Sequence, residues 1–254
     1  MSKYFISTAL LLCLSIGFAQ EKQIDLQPKD TVVHKLEYGL RAGIDLSRIL
    51  STQLSDDYTG LEIVADYRLT KDLYIAGELG NEKRTKQEDL LNFTTSGSYI
   101  KVGVDYNTYE NWYGMNNTIF IGGRYAFSSF NQTLNNYQYF DSNRYWNPDS
   151  FPNGSADPLK YDNLSASWLE FVFGLKAELF ANIYLGGSVR VGFLVSNKDP
   201  EDFKNLYIPG FNKVTDASKF GIGYNYSITY MIPLYKKVKK SKKTEEQIPE
   251  PLNN

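Results

Sequence analysis

The fold class this sequence predicts is all-β: an eight-stranded antiparallel up-and-down transmembrane β-barrel with long extracellular loops. Three observations predict it. Segments after residue 35 alternate apolar side chains with small, polar or charged ones, the period of a strand that faces two environments. The last of them, KFGIGYNYSITYMIPLY (219–235), holds that alternation beyond the about 5 to 6 residues of an ordinary soluble strand. It exceeds even the about 9 to 11 residues a tilted strand needs to cross a bilayer. Tyr (20) and Phe (15) are abundant, as in the aromatic girdles of membrane barrels. Alternation also dilutes hydrophobicity, so no run of about 18 apolar residues follows the N-terminus.

The N-terminus reads as an export signal. Lys3, the apolar stretch Ile6 to Ile16 and the small-x-small step Gly17-Phe18-Ala19 make residues 1–19 a signal peptide. The single cysteine, Cys13, lies inside it, so the exported chain has no thiol, disulfide or thiolate–metal chemistry. Residues 20–35, polar and containing Pro28, read as a periplasmic lead-in.

The barrel is expected over 36–235. LEYGLRAGIDL (36–46) sets Leu36, Tyr38, Leu40, Ala42, Ile44 and Leu46 against Glu37, Gly39, Arg41, Gly43 and Asp45. No soluble core would tolerate that second row unpaired. GLEIVADYRL (60–69) opposes Leu61, Ile63, Ala65, Tyr67 and Leu69 to Glu62, Val64, Asp66 and Arg68. LYIAGELG (73–80) turns Glu78 inward, and SYIKVGVDY (98–106) turns Lys101 and Asp105 inward. TIFIGGRYAFSSF (118–130) contributes Arg124, WLEFVFGLKAELF (168–180) contributes Glu170, Lys176 and Glu178, and IYLGGSVRVGFLV (183–195) contributes Arg190. With 219–235 the strands number eight, an even count as in bacterial single-chain barrels.

Connections after the second and sixth strands are tight and the one after the fourth is intermediate; those after the first, third, fifth and seventh are longer. Short periplasmic turns and long outer loops then put both termini in the periplasm. Tyr38, Tyr67, Tyr106 and Tyr230 fall at the ends this places by the inner leaflet, where a girdle belongs.

The inward residues Glu37, Arg41, Asp45, Glu62, Asp66, Arg68, Glu78, Lys101, Asp105, Arg124, Glu170, Lys176, Glu178 and Arg190 nearly balance in sign. An eight-stranded interior is just wide enough for side chains to fill, so an interlocking ion-pair network that plugs the lumen is expected rather than an ion path. A narrow channel would want one excess sign. Catalysis lacks its parts: the single histidine, His34, precedes the first strand at the periplasmic end, away from outer-leaflet substrates, so no catalytic residue is assigned and a lipid-modifying enzyme is the rival reading.

The longest loop (131–163) mixes Tyr137, Tyr139, Phe140, Tyr145, Trp146 and Phe151 with Asn, Asp, Ser and Gly, the composition of surfaces that combine rigid rings with adaptable polar groups. Its alternative is a loop folded on its own rings over the barrel mouth. Asp141, Asp149, Asp157 and Asp162 lack EF-hand spacing, and neither metal nor cofactor is expected. A second loop carries NLYIPGF (205–211), whose Tyr207, Ile208 and Phe211 either pack against the long loop or form a partner site. The Lys-rich, Pro-containing segment 236–254 reads as a periplasmic tail. The expected partners are outer-membrane lipid and protein in that membrane; a net charge of −2 gives no basic face for nucleic acid.

The segments YGLRAGIDLS (38–47), DYRLTKDLYIAGELGNE (66–82), GSYIKVGVDYN (97–107), YGMNN (113–117), NLYIPGFNK (205–213) and GIGYNYSITYMIPLYKK (221–237) resemble an uncharacterised Bacteroidota outer-membrane barrel family, domain of unknown function 6048. The resemblance implies an envelope location and that source phylum, and carries over no catalytic or binding residue. The expected function is that of a non-enzymatic structural or interaction subunit of the envelope, an accessory to a larger outer-membrane assembly or export complex.

Overall fold

The computed structural model describes residues 35–88, 91–109, 116–137, 158–200, 204–213 and 219–238. The expected signal peptide, most of the lead-in including His34, and the tail from 239 onward lie outside the described residues.

The long strands are β1 (Lys35–Asp45), β2 (Tyr58–Arg68), β3 (Leu73–Gln87), β4 (Leu91–Asn107), β5 (Thr118–Tyr137), β6 (Leu159–Phe180), β7 (Ile183–Asn197) and β10 (Phe220–Val238). They close a barrel in the order β1-β10-β7-β6-β5-β4-β3-β2, all neighbours antiparallel, with β10 returning to β1. A helix, α1 (Leu46–Leu54), follows β1, and two short strands, β8 (Tyr207–Ile208) and β9 (Asn212–Lys213), pair in the segment between β7 and β10. This is the eight-stranded up-and-down barrel that the alternation predicts.

Which face looks outward is settled by exposure. Ile100, Val102 and Val104 of β4, Leu169, Phe171 and Phe173 of β6, and Val189, Val191 and Phe193 of β7 all lie open on the outer wall, as do Ile222, Tyr224, Tyr226 and Ile228 of β10. So continuous an apolar surface is incompatible with water, and with a closed hydrogen-bond ladder beneath it the wall meets the two requirements of a bilayer-spanning barrel. No helix among the described residues is long and apolar enough to cross a membrane.

Strands β3, β4 and β5 run past the apolar layer. The outward row changes from Leu79, Ile100 and Phe127 to Asn81 and Lys83 on β3, Ser96 and Ser98 on β4, and Ser129 and Asn131 on β5, all exposed. These polar positions keep pairing across strands: Asn81 Nδ2 donates to Ser98 Oγ at 2.9 Å, the Thr85 and Thr94 hydroxyls meet at 2.9 Å, and Asn135 Nδ2 donates to Thr94 Oγ1 at 2.8 Å. Side-chain ladders of this kind stabilise a sheet that has left the bilayer. The third connection, expected to be long, is therefore only residues 88–90, and both arms of the fifth connection are strand.

The end of the barrel holding β1's start, β10's finish and the tight connections 69–72 and 181–182 is called the turn end, and the opposite end the loop end. Asn182 adopts φ 68°, the left-handed conformation that asparagine tolerates in so short a turn. One girdle assignment is corrected here. Tyr106 and Tyr230 lie exposed on the outer wall, but Tyr38 is buried and stacks on Tyr235 with ring centroids 5.1 Å apart. The cause is a register shift between Tyr38↔Tyr235 and Gly39↔Pro233, which inserts one extra residue on β10 beside a proline that cannot donate to the ladder.

Candidate functional site

Inward-facing charge fills the barrel in tiers. Near the turn end, Arg68 donates to the backbone carbonyls of Glu37, Thr70 and Lys71 and lies over the Tyr38 and Tyr74 rings, so it acts as a clasp on the turn rather than an ion-pair member. Glu37 and Glu178 are half-buried there, Glu178 Oε1 accepting the Asn182 N–H across the β6–β7 turn.

Above them the charges interlock. Asp66 takes Arg41 Nε at 2.7 Å and Lys176 Nζ at 2.5 Å; Asp105 takes Arg124 at 2.8 Å; Glu170 takes Lys101 at 2.9 Å. Glu78 holds Arg190 at 2.5 Å, with Arg124 and Lys101 at 3.6 and 3.9 Å. In the strand order, β2 lies opposite β6 and β3 opposite β7, so Asp66–Lys176 and Glu78–Arg190 are struts spanning the full width of the lumen. Asp66, Glu78, Lys101, Arg124 and Arg190 are all buried, and burial without these partners would cost several kcal/mol per charge.

Two residues that strand-by-strand reading passed over complete the upper tier. Glu82 is wholly buried and accepts from Arg48 Nη1 at 2.9 Å, the Tyr207 hydroxyl at 2.7 Å and the Gly210 N–H at 3.2 Å. It stands four residues beyond Glu78 on the same inward face, so following the period of two past Gly80 would have found it. Arg48 comes from α1. Burial works against its charge, but Glu82, Tyr99 and Glu62 around it raise its pKa well above the ordinary guanidinium value. Glu62, also fully buried, accepts from the Tyr99 hydroxyl at 2.5 Å and from Asn225 Nδ2 at 3.1 Å, and lies 3.9 Å from Arg190.

Asp45 departs from the expected network. Its carboxylate caps α1, accepting the Ser47 N–H at 2.7 Å and the Ser47 hydroxyl at 2.8 Å, and takes the Tyr226 N–H at 3.3 Å; Arg48 is 3.7 Å away. An Asp followed by Leu46, Ile49, Leu50 and Leu54 carries both a cap and a helical period, a signal the strand reading left unused.

At the loop end the filling changes from charge to rings. Tyr207, Ile208 and Phe211, read from sequence as a partner-site candidate, are instead buried inside the barrel mouth. Phe211 meets Trp168 edge-on at 5.5 Å, in a core with Tyr99, Phe130, Leu164 and Ile208, and Tyr207 packs with Phe93 and Leu134 on the inner face of the strand extensions. The extensions supply apolar inward positions above the bilayer, and the loop folds in to cover them. Gly210 makes the turn possible: it sits at φ +82°, and a Cβ there would lie 2.6 Å from the Tyr99 ring. Burial, and then the Glu82 carboxylate, push the Tyr207 phenol well above its ordinary value, so it remains a donor. Of the long-loop candidates, Tyr137 is half-buried against the Tyr207 cluster, while Tyr139, Phe140, Tyr145, Trp146 and Phe151 lie outside the described residues. No cluster of metal-ligating side chains occurs among the described residues.

The wall is incomplete at one point. β1 stops at Asp45, opposite Ser227 and one residue past the Ile44↔Ile63 pairing, so Phe220–Tyr226 of β10 pair with β7 alone and Tyr58–Glu62 of β2 pair with β3 alone. Helix α1 packs on both edges, burying Ser47 and turning Leu50 and Leu54 outward. A cleft of about 440 Å³ opens there, bounded by α1, the upper parts of β2, β3 and β10, and the loop before β8.

Fold and interior together define a small transmembrane β-barrel with fixed charges interlocked across its lumen. The chain belongs to the family described as domain of unknown function (DUF6048), whose model matches residues 1–237. No curated protein matches. Among solved structures it is similar to Ail, the attachment invasion locus protein of Yersinia pestis, with 9% identity, a TM-score of 0.39, and coverage of 77% of this chain and 97% of that one. It is also similar to CarO of Acinetobacter baumannii, with 13% identity, a TM-score of 0.36, and coverage of 78% and 98%.

Proposed function

We propose that this protein is a non-conducting, non-enzymatic barrel of the bacterial outer membrane that serves as a structural or interaction subunit of the envelope. The two ion-pair struts across the full width of the lumen carry this reading. With Asp66–Lys176 and Glu78–Arg190 spanning opposite walls, an ion would have to displace a buried charge from its partner to pass. The folded-in segment at Tyr207–Phe211 adds a second closure above them. In orientation the turn end faces the periplasm, with both termini, and the loop end faces outward, in keeping with the short-turn, long-loop asymmetry of such barrels.

The test is conductance of the pure refolded protein in planar bilayers. The expected result is no steady single-channel current; a reproducible, ion-selective current makes the protein a channel. For the subunit role, the native protein extracted in mild detergent is expected to co-migrate with an outer-membrane partner, and loss of that partner on removing residues 138–157, with the barrel still folded, locates the contact on the long loop. Migration as a lone monomer with nothing trapped by cross-linking leaves the subunit reading without support.

A further inference from the structure

The seam where β1 gives way to α1 carries an unused cation. Arg84, at the top of β3 and half-buried, lies over the Tyr58 ring at 5.9 Å and the Tyr207 ring at 5.2 Å, yet makes no ion pair or hydrogen bond among the described residues. The carboxylates near it are already engaged, Glu82 by Arg48 and Glu88 by Lys86. Beside it, Tyr58 is 6% exposed, its hydroxyl turned in toward Glu82 and Arg48 and its ring left to face Arg84. A guanidinium held between two rings at the lining of a cleft, with no ion pair among the described residues, has anion-binding capacity left over.

The other wall of the same cleft is apolar and open to the bilayer. Leu54 is 78% exposed and Ile222 76%, with Tyr224 beside them, and the last two belong to the outward row of β10 that lower down faces lipid. Strand edges without neighbours are tolerated at membrane depth only where they line a cavity or are covered, and here α1 covers them incompletely. Lipid can therefore reach the cleft sideways, along the wall, without crossing the lumen.

We propose that the cleft is a lateral binding site for a lipid with an anionic phosphate headgroup: the phosphate rests on Arg84, and an acyl chain lies along Leu54, Ile222 and Tyr224. This requires a membrane barrel but is independent of whether the lumen conducts. With the loop end outward, the ligand comes from the outer leaflet.

Native mass spectrometry of the full exported chain in non-ionic detergent tests this, titrating bisphosphorylated lipid A, phosphatidylcholine or inorganic phosphate. Retention of one lipid A per barrel is expected, about tenfold or more stronger than phosphatidylcholine, and Arg84→Gln should weaken it by about tenfold, the scale of a charge-assisted contact. Ile222→Asn should weaken lipid A without altering the response to inorganic phosphate. A second readout leaves Arg84 intact: a photo-reactive residue at Leu54 should label lipid A and spare phosphatidylcholine. Equal retention or labelling of the two lipids, or an Arg84→Gln barrel that folds by unboiled gel shift and binds as before, overturns the site. Displacement of lipid A by millimolar inorganic phosphate shows a free-anion site and overturns the lipid assignment.

Discussion

The lower lumen and the mouth of this barrel are built from the same alternating strands but closed by opposite means. Below Glu62 the wall is continuous, every strand has two neighbours, and the interior is tied across by charge. Above it β1 is missing, a helix stands in its place, and the interior is filled by Trp168, Phe211, Ile208 and Tyr207. The difference follows the solvent outside. Hydrocarbon tolerates an unpaired strand edge only where protein covers it, so the ladder closes over most of the depth that lipid surrounds and α1 stands over the gap beside β10. Once the outward row turns polar at Asn81 and Ser98, edges can open and loops can enter.

That contrast is broken most severely from inside the lower tier. Arg124→Met leaves Asp105 buried without its partner and removes one of the charges around Glu78, so it should destabilise the barrel by about 3 to 5 kcal/mol. The double variant Arg124→Met with Asp105→Asn removes the stranded charge as well and should recover a good part of that loss. Urea midpoints of the refolded proteins in detergent measure both. If the double variant is no more stable than the single, the tier is not held by paired charge.

The outer wall gives the next effect. Val102→Lys places an ammonium in the apolar layer of β4 and should cost about 2 to 4 kcal/mol of insertion free energy. Ser98→Lys, four residues along the same face, lies above that layer and should stay within about 0.5 kcal/mol of the parent. Refolding yield into vesicles, followed by the unboiled gel shift, compares them. Equal penalties would mean that the apolar layer extends higher than the polar row indicates.

The lower tier was legible in the sequence and the mouth was not, for a physical reason. Asp66, Glu78, Lys101, Arg124 and Arg190 sit on strands whose outer face is apolar, and that contrast makes the period of two visible. On 81–87 and 128–137 both faces are polar or mixed, so the period persists in the backbone while its signature in composition fades, and Glu82 does not stand out from its neighbours. The burial of Ile208 and Phe211 depends on a loop folding back into the barrel, a non-local contact that no period encodes. Arg48 and Asp45 belong to a third case, in which the helical signal was present but was overridden by the strand it follows.

Asp45 offers the smallest and most discriminating test, because it stands at the junction of the two regions. As a member of the lumen ion network it would need its charge; as the cap of α1 it needs only an acceptor oxygen. Its shortest contacts are the Ser47 N–H and hydroxyl, and Arg48 is 3.7 Å away, which favours the cap. Asparagine caps helices about as well as aspartate, whereas alanine loses about 1 kcal/mol. Asp45→Ala should therefore cost about that much, and Asp45→Asn only a few tenths. Because α1 closes the seam, the loss should be local: amide exchange over residues 46–55 should accelerate in Asp45→Ala while β4 to β6 stay protected. An Asp45→Asn variant as damaged as Asp45→Ala would return this carboxylate to the charge network and make the seam a continuation of the lower tier.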